Sequence, residues 1–244
     1  MILIDGDIIA YRCAFATKDK GTEDAIEATD DMLDYVISEG SFHTGNRQYK
    51  LFLTGKNNFR HEIAKTAEYK GNRKSVEKPL HLNAIRDHMV HQWKAIISDG
   101  EEADDLIAKG ATEYGRKCVV ASADKDMLQL AGAHFNFNKG EWKFVDEFEG
   151  LTFFYSQILT GDNADNIIGL YNIGPKKAEK ILKGAETEED LWKKTLEAYD
   201  GDVDRVIENA RLLWLRRHDG EIWEPPEQRK QKEELGSRKL ETNS

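Results

Sequence analysis

Apolar and polar positions follow two regimes along this chain. Through residue 131, short apolar runs alternate with longer amphipathic stretches, the spacing expected of strands and helices in turn. MILID reads as a short buried strand. A helix is predicted over 7–17 and a longer one over 22–39, where Ala25, Ile26, Met32, Leu33, Val36 and Ile37 supply the apolar positions. YKLFL (49–53), WKAIIS (93–98) and KCVVAS (117–122) are further strands. Pro79 is placed at the first position of a helix reaching His91, and EEADDLIAKGATEYG forms another, ended by Gly115. A short helix follows SADKD, and HFNFN and EWKFVD are small strands. The order β-α-β-α-β-α-β predicts an α/β fold, a parallel twisted sheet flanked by helices.

From residue 151 the pattern turns helical. Residues 160–183 read as a helix–turn–helix with three internal glycines, and 187–199 and 203–218 as further helices. Beyond Pro225-Pro226, EQRKQKEELGSRKLETNS lacks apolar periodicity, and a mobile tail is expected over 225–244. The predicted division is an α/β core at 1–150, with a basic segment at 56–79, then a helical region at 151–224. No internal repeat is evident.

With 39% hydrophobic residues, the 244-residue chain can bury a core. Cys13 and Cys118 match no zinc spacing, so buried free thiols are expected. No apolar run reaches the length of a membrane span and no leader is evident, so a cytoplasmic protein without a membrane partner is expected. The formal net charge of −10 taken alone argues against nucleic-acid binding, because phosphates require Lys and Arg. It loses that force if the acids are concentrated around bound cations, since the distribution of charge then decides.

The acids are indeed clustered: Asp5 and Asp7 in LIDGD, Glu102, Asp104 and Asp105 in EADD, Asp124 and Asp126 in SADKD, Asp162 and Asp165 in GDNADN. Each cluster has a bland explanation in helix caps, first-turn acids or turns. Asp7 is assigned to that explanation, and Glu101 is taken as solvated. The bland account does not explain why acids recur at the ends of strands that a parallel sheet gathers at one edge. Acids brought together there need a hard cation, and Mg²⁺ or Mn²⁺ suits carboxylates and substrate phosphates. Glu102 and Asp105, three apart, share a helix face, whereas Asp104 points elsewhere. A metal-dependent phosphodiesterase is the reading, with two ions about 4 Å apart activating water and stabilising the leaving oxygen. The seven histidines lie outside the clusters and are read as surface or packing residues.

Two further segments suit nucleic-acid phosphates. In YNIGPKKAEKIL, Ile173-Gly174 makes a tight turn and Pro175 opens a helix with Lys176 and Lys177 in its first turn. Cations there oppose the helix dipole, unless a phosphate sits at the helix N-terminus. Such a helix–hairpin–helix grips a DNA backbone without reading bases; the alternative is an ordinary helical hairpin with solvated lysines. AEYKGNRKSVEKP sets Tyr69 beside Lys70, Arg73, Lys74 and Lys78. An aromatic among basic residues suits single-stranded nucleic acid; the alternative is a solvated charged loop.

LIDGD, YKGNRK, EADD, SADKD and GDNADNIIGLYNIG, in that order, resemble the 5′-nuclease superfamily of flap endonucleases, polymerase 5′-nuclease domains and bacteriophage 5′→3′ exonucleases. The resemblance covers residues 1–183, more weakly to 218. It implies a PIN-like core with 56–79 as an arch-like segment and a helical helix–hairpin–helix region. It also implies that Asp5, Glu102, Asp104, Asp105, Asp124, Asp126, Asp162 and Asp165 hold two or more divalent ions. Lys70 and Arg73 would contact the scissile phosphate and Tyr69 would stack. The hairpin 169–174, from Gly169 to Ile173 and Gly174, would meet the uncut strand, with K⁺ on its carbonyls. One departure stands out: the family carries an acid after the second strand, where this chain has Thr54, Gly55 and Lys56.

The resulting expectation is a Mg²⁺-dependent 5′→3′ exonuclease with flap endonuclease activity. Its substrates would be DNA 5′ ends, flaps or nicks, and RNA–DNA hybrids are within its scope. A place in phage replication or recombination beside replication proteins follows from the resemblance alone. The rivals are a catalytically inactive structure-specific DNA-binding protein, motivated by the acid missing near Gly55, and an acid-sheet endoribonuclease.

Overall fold

The computed structural model describes residues 1–74 and 77–232. Two compact units emerge, one from 1–59, 75–150 and 215–220, the other from 60–74, 151–214 and 221–244. One division between them falls between Gly150 and Leu151. Two segments depart from it: 60–74 belongs to the second unit and 215–220 returns to the first.

The first unit is built on six strands, β1 (Ile2–Asp5), β2 (Tyr49–Lys56), β3 (Ile96–Asp99), β4 (Val119–Ala121), β5 (Gly132–Asn136) and β6 (Glu141–Val145), in the order β3-β2-β1-β4-β5-β6. All pairings are parallel except β5–β6. Consecutive residues of β1 face opposite layers. Ile2 and Ile4 pack in a core with residues of helices α1 (Gly6–Ala16) and α2 (Thr22–Thr44), while Leu3 packs with Ile107, Ala108 and Ala111. Strand order reverses between β1 and β4. Their carboxyl ends therefore diverge into a crevice, the usual ligand position in such sheets.

Continuing along the chain, α3 is Arg60–Ile63, α4 Leu82–His91 and α5 Ala103–Tyr114. Pro79 does not open α4. Its carbonyl accepts from Leu82 N–H at 3.2 Å, making a turn ahead of the helix. Cys13 and Cys118 are buried free thiols, and burial raises the pKa of both.

The second unit holds α6 (Glu147–Thr160, which begins in the first unit), a small hairpin β7 (Gly161–Asp162) and β8 (Ile167–Ile168), then α7 (Pro175–Leu182), α8 (Glu188–Ala198) and α9 (Val203–Leu213). The first helix predicted within 160–183 is absent: α6 ends at Thr160, and the hairpin and turns occupy 161–174. A Cβ on Gly169 would lie 2.2 Å from the Thr160 carbonyl carbon and 2.3 Å from Gly161 N. That backbone contact requires glycine. The helix expected over 203–218 stops at Leu213, because the chain leaves for the first unit at Leu215.

An aromatic cluster of Phe154, Tyr155, Trp192, Trp214 and Trp223 fills this unit. The mobile tail expected over 225–244 is contradicted over its described part, 225–232. Pro225 and Pro226 are buried and 226–232 is helical, with Arg229 paired to Glu188 and Lys230 to Glu189. Salt bridges that composition does not reveal hold this segment; residues 233–244 lie outside the described residues.

Candidate active site

The first unit positions most of the predicted acids. Asp5 ends β1 and caps α1, accepting from Ile8 N–H at 3.2 Å. Its other oxygen accepts from the Ser122 hydroxyl at 2.7 Å, and that hydroxyl accepts from Asp124 N–H at 2.9 Å. Ser122 thus ties the ends of β1 and β4 together, although sequence reading overlooked it. Burial pushes the Asp5 carboxyl up to about 7. The Ser122 hydroxyl and Ile8 N–H oppose the shift, while the neighbouring Asp7 and Asp124 carboxylates add to it. Asp124 in turn caps a 3₁₀ turn, Lys125–Gln129, by accepting from Asp126 N–H at 2.8 Å.

The next acids follow β3. Glu102 is the N-cap of α5, and Glu102 N–H donates to Asp105 at 3.0 Å in a capping box. The second Asp105 oxygen accepts from Arg216 N–H at 2.9 Å. Glu102 and Asp105 are buried and Asp104 is less so, matching the shared face assigned to the first two. Glu101, expected to be solvated, is buried. It pairs with Lys109 at 2.7 Å and Arg216 at 3.9 Å; no motif marks the first pairing, eight positions along the chain, and the second is remote in sequence.

Asp7 does not behave as a simple first-turn helix acid. Its carboxylate accepts from Thr54 N–H at 2.8 Å, on β2, and pairs with Arg86 of α4. Arg86 carried no sequence signal and Thr54 was marked only by the acid missing around it, since no motif marks a side chain that acts by reaching across elements.

The second unit brings together a different set. Asp162 accepts from the N–H groups of Ala164 and Asp165, closing a turn. Asp165 accepts from the Tyr69 hydroxyl at 2.7 Å and pairs with Arg73 at 2.6 Å and Lys70 at 3.6 Å. Lys70 N–H donates to the Asp165 carbonyl at 2.9 Å, holding Lys70 at φ 54, a backbone conformation uncommon for a side chain of its size. Tyr69 was expected to offer a stacking face. Its ring is instead 2% exposed, edge-on to His61, so its polar tip fastens Asp165 and its face is covered. Lys74 pairs with Glu68. Ser75 and Val76 of the predicted basic segment lie outside the described residues.

Beyond the hairpin, Gly174 caps α7, Pro175 takes its first position, and Lys177 donates to the Asn172 carbonyl at 2.8 Å. Lys176 is exposed and Ile173 partly so. Tyr171 stands 91% exposed beside them, a residue the sequence reading did not single out. The histidines serve packing roles: His134 and His81 are buried, and His88 pairs with Asp30.

The acids of the first unit offer a hard cation oxygen donors only, and Asp5 is buried with the Asp7 and Asp124 carboxylates nearby. The donor chemistry therefore fits a divalent ion. Among the described residues, no three Asp, Glu, His or Cys side chains already converge into a metal shell.

Residues 1–152 match the family described as 5′-3′ exonuclease, N-terminal resolvase-like domain. DNA polymerase I of Bacillus caldotenax is 32% identical over 220 residues, 78% of this chain and 24% of that protein. Flap endonuclease Xni of Vibrio campbellii is 31% identical over 164 residues, 59% of this chain and 62% of that protein. This chain thus spans less than two thirds of either relative. Among solved structures, T5 5′-exonuclease with bound divalent zinc shares the fold at a TM-score of 0.61 and 18% identity, covering 87% of this chain and 88% of that one.

Proposed function

The chain belongs to the 5′-3′ exonuclease family with an N-terminal resolvase-like domain, and from that membership we propose that it is a Mg²⁺-dependent 5′→3′ exonuclease with flap endonuclease activity on DNA. The observation that carries this reading is the gathering of Asp5, Ser122 and Asp124 where β1 and β4 diverge. Glu102, Asp104 and Asp105 follow the end of β3 in the same unit. Asp5, Glu102, Asp104, Asp105, Asp124 and Asp126 in the first unit are proposed ligands, as are Asp162 and Asp165 in the second. Divalent ions held there would polarise a phosphodiester and lower the pKa of an attacking water.

The chain's own residues do the rest. Ser122 and the α5 capping box fix the carboxylates before ions arrive, which lowers the reorganisation needed on binding. Lys70 and Arg73 are the proposed contacts to the scissile phosphate. A phosphate would compete with Asp165 for them, so DNA and the Asp165 carboxylate exchange one cationic pair. Lys176 and Lys177, with the backbone of 169–174, are the proposed grip on the uncut strand, K⁺ being the proposed ion at that turn. Substrates with 5′ flaps, nicks or hybrid 5′ strands and a place in replication belong to the same proposal.

The test is digestion of 3′-labelled duplex and flap DNA with Mg²⁺ or with EDTA. A ladder shortening from the 5′ end only with metal is expected. Asp105→Asn should lower cleavage by more than the about 10–100-fold that changes to outer-shell partners cost, and leave DNA retardation on a gel intact. Normal cutting by that variant would overturn the site. Retardation of DNA that even the wild-type protein leaves uncut would favour the binding-protein reading.

A further inference from the structure

The acids of the first unit follow β1, β3 and β4. The end of β2, Thr54-Gly55-Lys56, has none, and its middle position is closed to any side chain. A Cβ on Gly55 would lie 2.0 Å from the Ser98 carbonyl oxygen, so no side chain fits on this backbone. The β2–β3 register shifts at the same place, between Leu53 and Lys56.

A chain of hydrogen bonds stands there instead. Asp7, in the first turn of α1, accepts from Thr54 N–H at 2.8 Å and pairs with Arg86. Arg86 also donates to the Thr54 carbonyl at 2.6 Å. The Thr54 hydroxyl then accepts from Ala103 N–H at 3.0 Å. Ala103 is the first residue of α5, between Glu102 and Asp104. The path runs from the helix that Asp5 caps, across β2, to the helix start that carries three other acids. One end is Asp7, two residues from Asp5; the other is the amide next to Glu102.

The path has the features of a spacer. Every link uses a backbone group or a two-point contact, so it fixes separation as well as proximity. Arg86 grips carboxylate and carbonyl at once, a geometry the planar guanidinium allows and a lysine does not. Arg86 and Asp7 side chains are about one-fifth exposed, so the pair is shielded and neutral overall. Thr54 supplies its N–H, carbonyl and hydroxyl to three different elements. An ordinary strand residue has no need for that combination.

We propose that Arg86, Asp7 and Thr54 are positioning residues that set the separation between Asp5 and the Glu102–Asp105 turn for a divalent cation. The proposal rests on the metal-dependent reading above. None of the three touches the ion or the DNA. They act by holding α1, β2 and α5 at one spacing, at a strand end where this chain carries no acid.

Thr54→Val keeps the shape of the side chain and removes only the acceptor for Ala103 N–H; Thr54→Ser restores it. Arg86→Lys keeps the charge and loses the two-point grip. Mn²⁺ binding to the DNA-free protein, followed by the electron spin resonance of free Mn²⁺, should weaken about tenfold in Thr54→Val and Arg86→Lys, the scale of outer-shell effects on metal sites. Thr54→Ser should stay within about twofold of wild type. The Mg²⁺ concentration for half-maximal cleavage should rise in parallel, with activity at saturating Mg²⁺ largely recovered. Thermal unfolding in EDTA separates this from a packing defect. A lowered midpoint with unchanged Mn²⁺ affinity in both variants would reduce the network to scaffolding and overturn the proposal. If the wild-type protein binds no Mn²⁺ and cuts no DNA, the metal-dependent reading itself fails, an outcome distinct from variants that bind Mn²⁺ as the wild type does.

Discussion

Single residues here do two jobs, and the local job is the one sequence displays. Asp124 and Glu102 are helix caps in plain geometric terms, yet both are also candidates for metal binding. A cap uses some of a carboxylate's lone pairs and leaves the others for a cation. Asp165 shows the same duality: it holds Tyr69, Lys70 and Arg73 in one cluster. His134 illustrates a purely structural group. Its ring is buried, with Nε2 2.8 Å from the Leu130 carbonyl, and burial lowers its pKa from the usual 6.5. The unfolded chain takes up a proton near pH 6.5 while the folded ring does so only at lower pH. Its contribution is therefore present above pH 6.5 and is lost as pH falls toward the folded value. Denaturant unfolding at pH 7.5 and 5.5 should show a smaller acid-side loss for His134→Gln than for wild type. An equal loss would mean that the ring is protonated at the same pH in both states.

Elements are set by backbone contacts that composition hides. The β7–β8 hairpin exists because Gly161, at φ 68, and Gly169 let two backbones touch. Reading that stretch as helix followed from its apolar and glycine spacing, which a tight hairpin and a helix share over so few residues. Gly169→Ala should cost about 1–3 kcal/mol, the usual range for overpacking, seen as a lower urea midpoint. An unchanged midpoint would show that the hairpin backbone can move aside. The long predicted helix beyond 203 fails for a different reason: α9 ends where the chain passes to the other unit, and no helix-stop residue marks the spot. Segment 60–74 likewise looks like a loop in sequence. Arg60 is buried, donating to the Leu212 and Trp214 carbonyls at 2.8 Å, and Glu208 accepts from Lys65 and Thr66 N–H at 2.7 Å.

For the whole molecule, net charge is the property with the broadest consequence. At −10, the proposed DNA binding would work against an unfavourable overall field, so it would have to come from local cations and bound metal. Affinity for duplex DNA, measured by fluorescence anisotropy with Ca²⁺ across a salt series, should fall steeply with salt. Lys176→Ala should reduce the slope of log K against log salt by about 0.9, one phosphate contact. An unchanged slope would remove Lys176 from the interface. The alternation of apolar runs and amphipathic stretches, read from sequence alone, established the mostly parallel α/β core and the acid clusters after β1, β3 and β4. Those features are local, because strand periodicity and the residues at strand ends are written in adjacent positions. Tertiary structure alone decided that Glu101 is paired, that Tyr69 is covered, that no side chain fits at Gly55, and that Asp7 reaches Thr54 and Arg86. The meetings of Glu101 with Arg216, Tyr69 with Asp165, Gly55 with Ser98, and Thr54 with Asp7 and Arg86 join groups 32 to 115 positions apart, and no local pattern encodes them.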